Sequence, residues 1–154
     1  MTTPPTSVRE YEARARSTDV FGRVLCDARE HHFIVDGPVQ NNCPGEEVTP
    51  AEIFLAAVAS CGVELMQVLA RENGVPVPRV GIRIQGLVDR SRQRRETHTT
   101  FNTVRLDITL DGVDHEQATA LVAGFQRRCP LFGSVAVASD EIIVEFEIGP
   151  PRLS

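Results

Sequence analysis

Lysine and tryptophan are absent from this chain, Tyr11 is its only tyrosine, and all sixteen basic residues are arginine. The missing lysine reads as coding bias rather than function. No basic stretch followed by an apolar one opens the sequence at Met1-Thr2-Thr3-Pro4-Pro5, so the expectation is no secretory leader and a reducing, cytoplasmic setting. No strand-like run leads into a glycine-rich phosphate loop, which leaves nucleotide cofactors without a binding element. No Cys-x2-Cys or His-x3-His unit accompanies Cys26, Cys43, His31 and His32, so no metal site is expected. The longest apolar run, Ile53 to Val63 with Ser60 its one polar residue, stops at Glu64, short of the ~18 residues of a bilayer span. No low-complexity tract divides the 154 residues, and a single domain over 1–154 is expected.

The net charge of −5 argues against general nucleic-acid binding. A local exception is Asp89-Arg90-Ser91-Arg92-Gln93-Arg94-Arg95-Glu96. Acids flank these arginines and no aromatic residue lies among them to stack on bases, which favours a solvated loop. The rival is a patch for an acidic or nucleic partner, whose affinity would fall steeply with salt.

What is present is organised around one long helix. Thr49 can accept from the first free N–H groups, Pro50 has the preset φ of a first helical position, and Glu52 is spaced to complete a capping box with Thr49. Gly74 closes the segment, with Pro76 beyond. The first half has no polar face, which predicts a core helix buried on all sides. Ser60, Glu64, Gln67 and Arg71 form a polar stripe at helical spacing, either the wet edge of the helix or a carboxylate one turn from Cys61 that would raise its thiol pKa.

Period-two alternation marks strands at Arg79–Val88, at Thr103–Leu110 and at Glu141–Ile148. The arginine loop joins the first two as a long hairpin, and Asp111-Gly112 makes a turn. Asp114 and Gln117 form a capping box for a helix carrying Ala118, Leu121, Val122 and Phe125. Shorter strands are expected at Tyr11–Ala15, Arg23–Cys26 and His32–Val35. The order predicts an α+β fold with antiparallel sheet. His115 is expected to be exposed in the first turn of its helix.

Four cysteines in a reducing compartment are fillers, ligands or redox groups. Two stand out by setting. Cys61 lies inside the apolar helix. Cys129 precedes Pro130, which places it at an N-cap, where free N–H groups, the helix dipole and Arg127 and Arg128 favour a thiolate.

The run Thr49-Pro50-Ala51-Glu52-Ile53-Phe54-Leu55-Ala56-Ala57-Val58-Ala59-Ser60-Cys61 and the later Cys129-Pro130-Leu131-Phe132, with the cysteines 68 positions apart, together resemble the two signatures of the osmotically induced and organic hydroperoxide resistance (OsmC/Ohr) family. The resemblance extends over roughly Tyr11 to Ile148 and includes Asp36-Gly37-Pro38. It implies an intertwined homodimer in which two sheets enclose paired central helices. It also implies reduction of organic hydroperoxides: Cys61 attacks and becomes a sulfenic acid, Cys129 resolves it as a disulfide, and a dithiol, typically lipoylated, restores both. No metal or organic cofactor is implied, because the thiolate itself reacts. Phe54, Met66 and Phe132 are candidates for the substrate wall or ordinary core.

The family peroxidases carry a glutamate directly after the helix-opening proline, orienting an arginine over the thiolate. Ala51 stands there in this chain, as in a less characterised branch whose helix begins Pro-X-Glu. Glu52 follows one position later, about 180° around the helix from Cys61, and is either a catalytic carboxylate or simply the helix cap. Arg23 is the first candidate for the arginine and Arg16 the second. The candidate catalytic set is therefore Cys61, Cys129, Arg23 and Glu52. The rival reading is a non-catalytic dimer that binds an apolar small molecule or senses redox state, and neither nucleic acid nor membrane is expected as a partner.

Overall fold

The structure, a computed structural model, describes residues 8–151, which form two compact units meeting in sequence between Ile53 and Phe54. In the first unit β1 (Arg14–Ser17), β2 (Arg23–Ala28) and β3 (His31–Asp36) form an antiparallel meander. Arg23 lies opposite Asp36 and Cys26 opposite Phe33. Gly22, at φ +77°, and Arg29, at φ +56°, supply the left-handed residues of its turns. β1 begins later than the expected Tyr11, which is 81% exposed, because its ladder partners in β2 run only from Val24 to Asp27.

Helix α1 spans Pro50–Glu72. The Glu52 carboxylate accepts from the backbone N–H of Thr49 at 2.7 Å and from its hydroxyl at 2.8 Å. Gly74 adopts φ +66°, the conformation a helix stop requires.

The second unit contains β4 (Arg79–Leu87), β5 (Thr103–Asp111), α2 (His115–Arg128), α3 (Pro130–Ala138) and β6 (Glu141–Ile148). The Asp114–Gln117 capping box is present at the start of α2. Central β5 pairs antiparallel with β4 but parallel with β6. The expected α+β fold with antiparallel sheet is present, and β5–β6 is the one parallel pairing among the described strands: α2 and α3 form a crossover long enough to bring the chain back in the same direction. Every second residue of β5 (Val104, Leu106, Ile108, Leu110) is buried, and these pack with Met66 and Leu69 of α1 and with Leu121 and Phe125 of α2. The expected exposure of His115 holds, and its ring stacks on Phe146 at 5.4 Å.

Helix α1 corrects the expectation of burial on all sides. Its buried residues are Val58, Gly62, Met66, Leu69 and Ala70, which is one stripe rather than the whole circumference. Phe54 is 43% and Val68 36% exposed. They stand 14 residues apart, close to four full turns and hence on one side of the helix. By length and composition alone α1 is apolar enough to span a membrane, contrary to the reading of its interrupted run. Its buried stripe is occupied by the protein core.

Candidate active site

Helix α2 ends where α3 begins, and Cys129 stands at the junction, closing the first with its backbone N–H and opening the second with its side chain. Pro130 occupies the first helical position, and Cys129 Sγ accepts from the backbone N–H of Phe132 at 3.3 Å. This is the N-cap geometry read from Cys129-Pro130. Cys129 is 2% exposed, whereas Cys61, in the middle of α1, is partly exposed. The two sulfurs lie 2.7 Å apart, joined as a thiol hydrogen bond. Two thiols 68 residues apart in sequence thus converge on one point, the geometry from which a disulfide forms.

Burial pushes the Cys61 thiol up to about 12, and the hydrogen bond and charge of Cys129, followed by the charge of Glu64, push in the same direction. Ser60, Glu64, Gln67 and Arg71 are all exposed, so the polar stripe is the wet edge of α1, with Glu64 still felt at the thiol.

Met66 is fully buried, and Phe132 is nearly so and packs on Phe125 with ring centroids 5.1 Å apart. Both belong to the same core cluster as Cys129. Phe54 instead stacks on Phe101 at 5.8 Å.

Arg23 and its neighbours lie in the first unit. The guanidinium binds Asp36 with two parallel contacts of 2.8 Å and reaches Glu46 at 2.6 Å. Asp36 is fully buried and also accepts from the backbone N–H groups of Glu46 and Glu47. Its carboxyl is held at about 2, chiefly by Arg23, and both carboxylates raise the guanidinium in return. Asp36 and Glu46 escaped the sequence reading as partners of Arg23. The signal for Asp36 was the hairpin register that sets Arg23 opposite it. Arg16 lies on exposed β1, 3.8 Å from Asp27. Glu52 is turned back onto Thr49, and that contact holds its carboxyl below the usual range. Cys43 packs against Gly22 and Gly37, where an added Cβ would come within 2.3 and 2.5 Å of its sulfur.

The sequence pattern described as OsmC-like protein matches residues 43–144, which include both thiols. The chain belongs to the OsmC-like family. No curated protein matches it by sequence. Among solved structures of this fold, an OsmC-like protein from Mycoplasma pneumoniae aligns with a TM-score of 0.76 at 13% identity, over 91% of this chain and 97% of the other. An organic hydroperoxide resistance protein OsmC from Legionella pneumophila aligns at 0.70 and 16% identity, over 94% and 99%. An OsmC-like protein of unknown function from Vibrio cholerae aligns at 0.72 and 15% identity, over 91% and 100%. At these identities the likeness concerns the OsmC-like fold.

Proposed function

We propose that this OsmC-like protein is a cytoplasmic, homodimeric thiol peroxidase for organic hydroperoxides. The observation that carries the reading is the 2.7 Å contact between Cys61 and Cys129. The Cys61 thiolate attacks the distal peroxide oxygen, the O–O bond breaks, and the alkoxide takes a proton to leave as the alcohol. Cys61 is then a sulfenic acid. Cys129 attacks that sulfur, water leaves, and a Cys61–Cys129 disulfide remains. A small dithiol or a lipoylated protein supplies the two electrons and two protons that restore both thiols. Met66 and Phe132 contribute to the apolar surroundings.

Because Cys61 is pushed up to about 12, this chemistry requires a cation. Arg23 is the proposed one. Asp36 and Glu46 hold its guanidinium in a fixed orientation, the service that the family glutamate, replaced here by Ala51, would otherwise perform. Glu52 serves on this reading as the cap of α1. The apolar side of α1 carrying Phe54 and Val68 supports a second copy as its cover.

The test is hydroperoxide consumption by the reduced protein with a dithiol, comparing wild type, Cys61→Ser, Cys129→Ser and Arg23→Met. Rapid turnover that requires Cys61 supports the peroxidase. Slow consumption indifferent to Cys61 selects the second reading, a non-catalytic dimer that binds an apolar molecule or reports redox state, which the upward-shifted Cys61 thiol favours.

A further inference from the structure

The segment joining β4 to β5, residues 88–102, is long for a hairpin loop, and such loops are generally either functional or mobile. This one is held by two side-chain amides. Gln93 donates through Nε2 to the carbonyls of Asp89 and Thr100 and accepts at Oε1 from the Thr100 N–H. Asn102 accepts from the Asp89 N–H at 2.6 Å and donates to the Arg92 carbonyl and to Asp140. The loop thereby forms the wall of a cavity of about 420 Å³, within the usual size range of small-molecule sites. Asp89, Arg92, Arg94, Asn102, Asp140 and Glu141 line it.

The charges divide into those already engaged and those left over. Asp89 accepts from the N–H and hydroxyl of Ser91. Asp140 is taken by Asn102 and by Arg94 Nε at 3.2 Å. Among the described residues, neither the Arg92 guanidinium, whose charge helps to lower the Asp89 carboxyl, nor the Glu141 carboxylate makes a side-chain hydrogen bond or a close ion pair. A simple anion would be matched by Arg92 but opposed by the carboxylates, and a simple cation would meet the reverse. A molecule carrying both signs satisfies both walls.

We infer that this cavity is a binding site for a small zwitterion bearing an ammonium and a carboxylate, the chemistry shared by free amino acids and short peptides, with the carboxylate on Arg92 and the ammonium on Glu141. Fixed walls favour the complex, because the loop surrenders little further freedom on binding.

The test is calorimetric titration of the full-length protein with L-alanine, Ala-Ala and Ala-Ala-Ala, which carry the same two charges at increasing separation and so distinguish amino acid from peptide. N-acetyl-Ala-Ala and Ala-Ala-amide each lack one charge. At least one zwitterion is expected to bind at millimolar concentration or below, with affinity falling at least tenfold when either end is blocked. Arg92→Gln should abolish the advantage of a free carboxylate, and Glu141→Gln that of a free ammonium. Hydroperoxide consumption should be unchanged in both variants, which separates this site from the thiol chemistry. Absence of binding by all three zwitterions, equal binding of the blocked compounds, or indifference to both substitutions would overturn the proposal.

Discussion

Gly62 and Ile82 meet with no room for a methyl group between them: a Cβ on Gly62 would lie 2.6 Å from Ile82 Cδ1 and 3.1 Å from the Phe125 ring. Gly62 is the neighbour of Cys61 in α1, and a methyl there would displace the end of the Ile82 side chain and press on the fully buried Phe125 ring. Gly62→Ala is therefore expected to destabilise the protein by about 1–3 kcal/mol despite its better helix propensity, because core overpacking costs more than the backbone gain. Urea unfolding of the variant checks this, and an unchanged or increased midpoint would contradict the close approach.

Cys61 should be slow to alkylate near neutral pH in the reduced protein, since burial, Cys129 and Glu64 all favour its protonated form. Cys129→Ala removes the second and third largest causes and should move the onset of Cys61 alkylation to lower pH. Glu64→Gln should move it in the same direction by less. Alkylation rate against pH, with the site located by mass spectrometry, reads both shifts.

Asp36 contributes to stability with a definite sign. Its carboxyl is lowered from 3.8 to about 2 in the folded protein, so the contribution is complete above the ordinary value and is lost as pH falls through about 4 toward 2. Asp36→Asn should be less stable at neutral pH, and the gap from wild type should close across that acid window. Denaturant melts at a series of pH values measure the gap directly.

Asp114→Ala removes the acceptor for the Gln117 N–H and half of the capping box at the start of α2. A loss of about 1 kcal/mol is expected. Thermal unfolding tests it, with the Asp114→Ser variant recovering most of the loss because serine caps nearly as well.

Glu52→Ala separates the two roles open to that residue. A cap predicts lower stability with hydroperoxide turnover per folded molecule retained. A catalytic carboxylate predicts turnover lost while the melting temperature barely moves.

Much of this fold was legible because its signals are local. Pro50 and Gly74 bound α1, Asp114 and Gln117 begin α2, and Cys129-Pro130 announces α3, each through a few adjacent residues. The direction of β6 was not legible, since alternation of Ile142, Val144 and Phe146 with glutamates marks a strand of either polarity. The uncovered side of α1 was missed because hydrophobicity reports a preference for burial, not what provides it. At the site, the meeting of Cys61 and Cys129 followed from resemblance, as no periodicity relates positions 68 apart. Of the carboxylates around Arg23, Asp36 follows from the β2–β3 register, whereas Glu46 depends on how the 37–48 segment folds back, which neither spacing nor composition encodes.

The double duty of Cys129 gives the sulfur chemistry a mechanical output. In the reduced protein its sulfur is the acceptor that pins the first turn of α3 through the Phe132 N–H. Once that sulfur is bonded covalently to Cys61 its position is set by α1 as well as by α3, and the pin weakens just as a new tether to α1 forms. Oxidation thus exchanges a restraint within one short helix for a restraint between two, so the mobility of the Leu131–Gly133 turn becomes a gauge of how many electrons the pair holds.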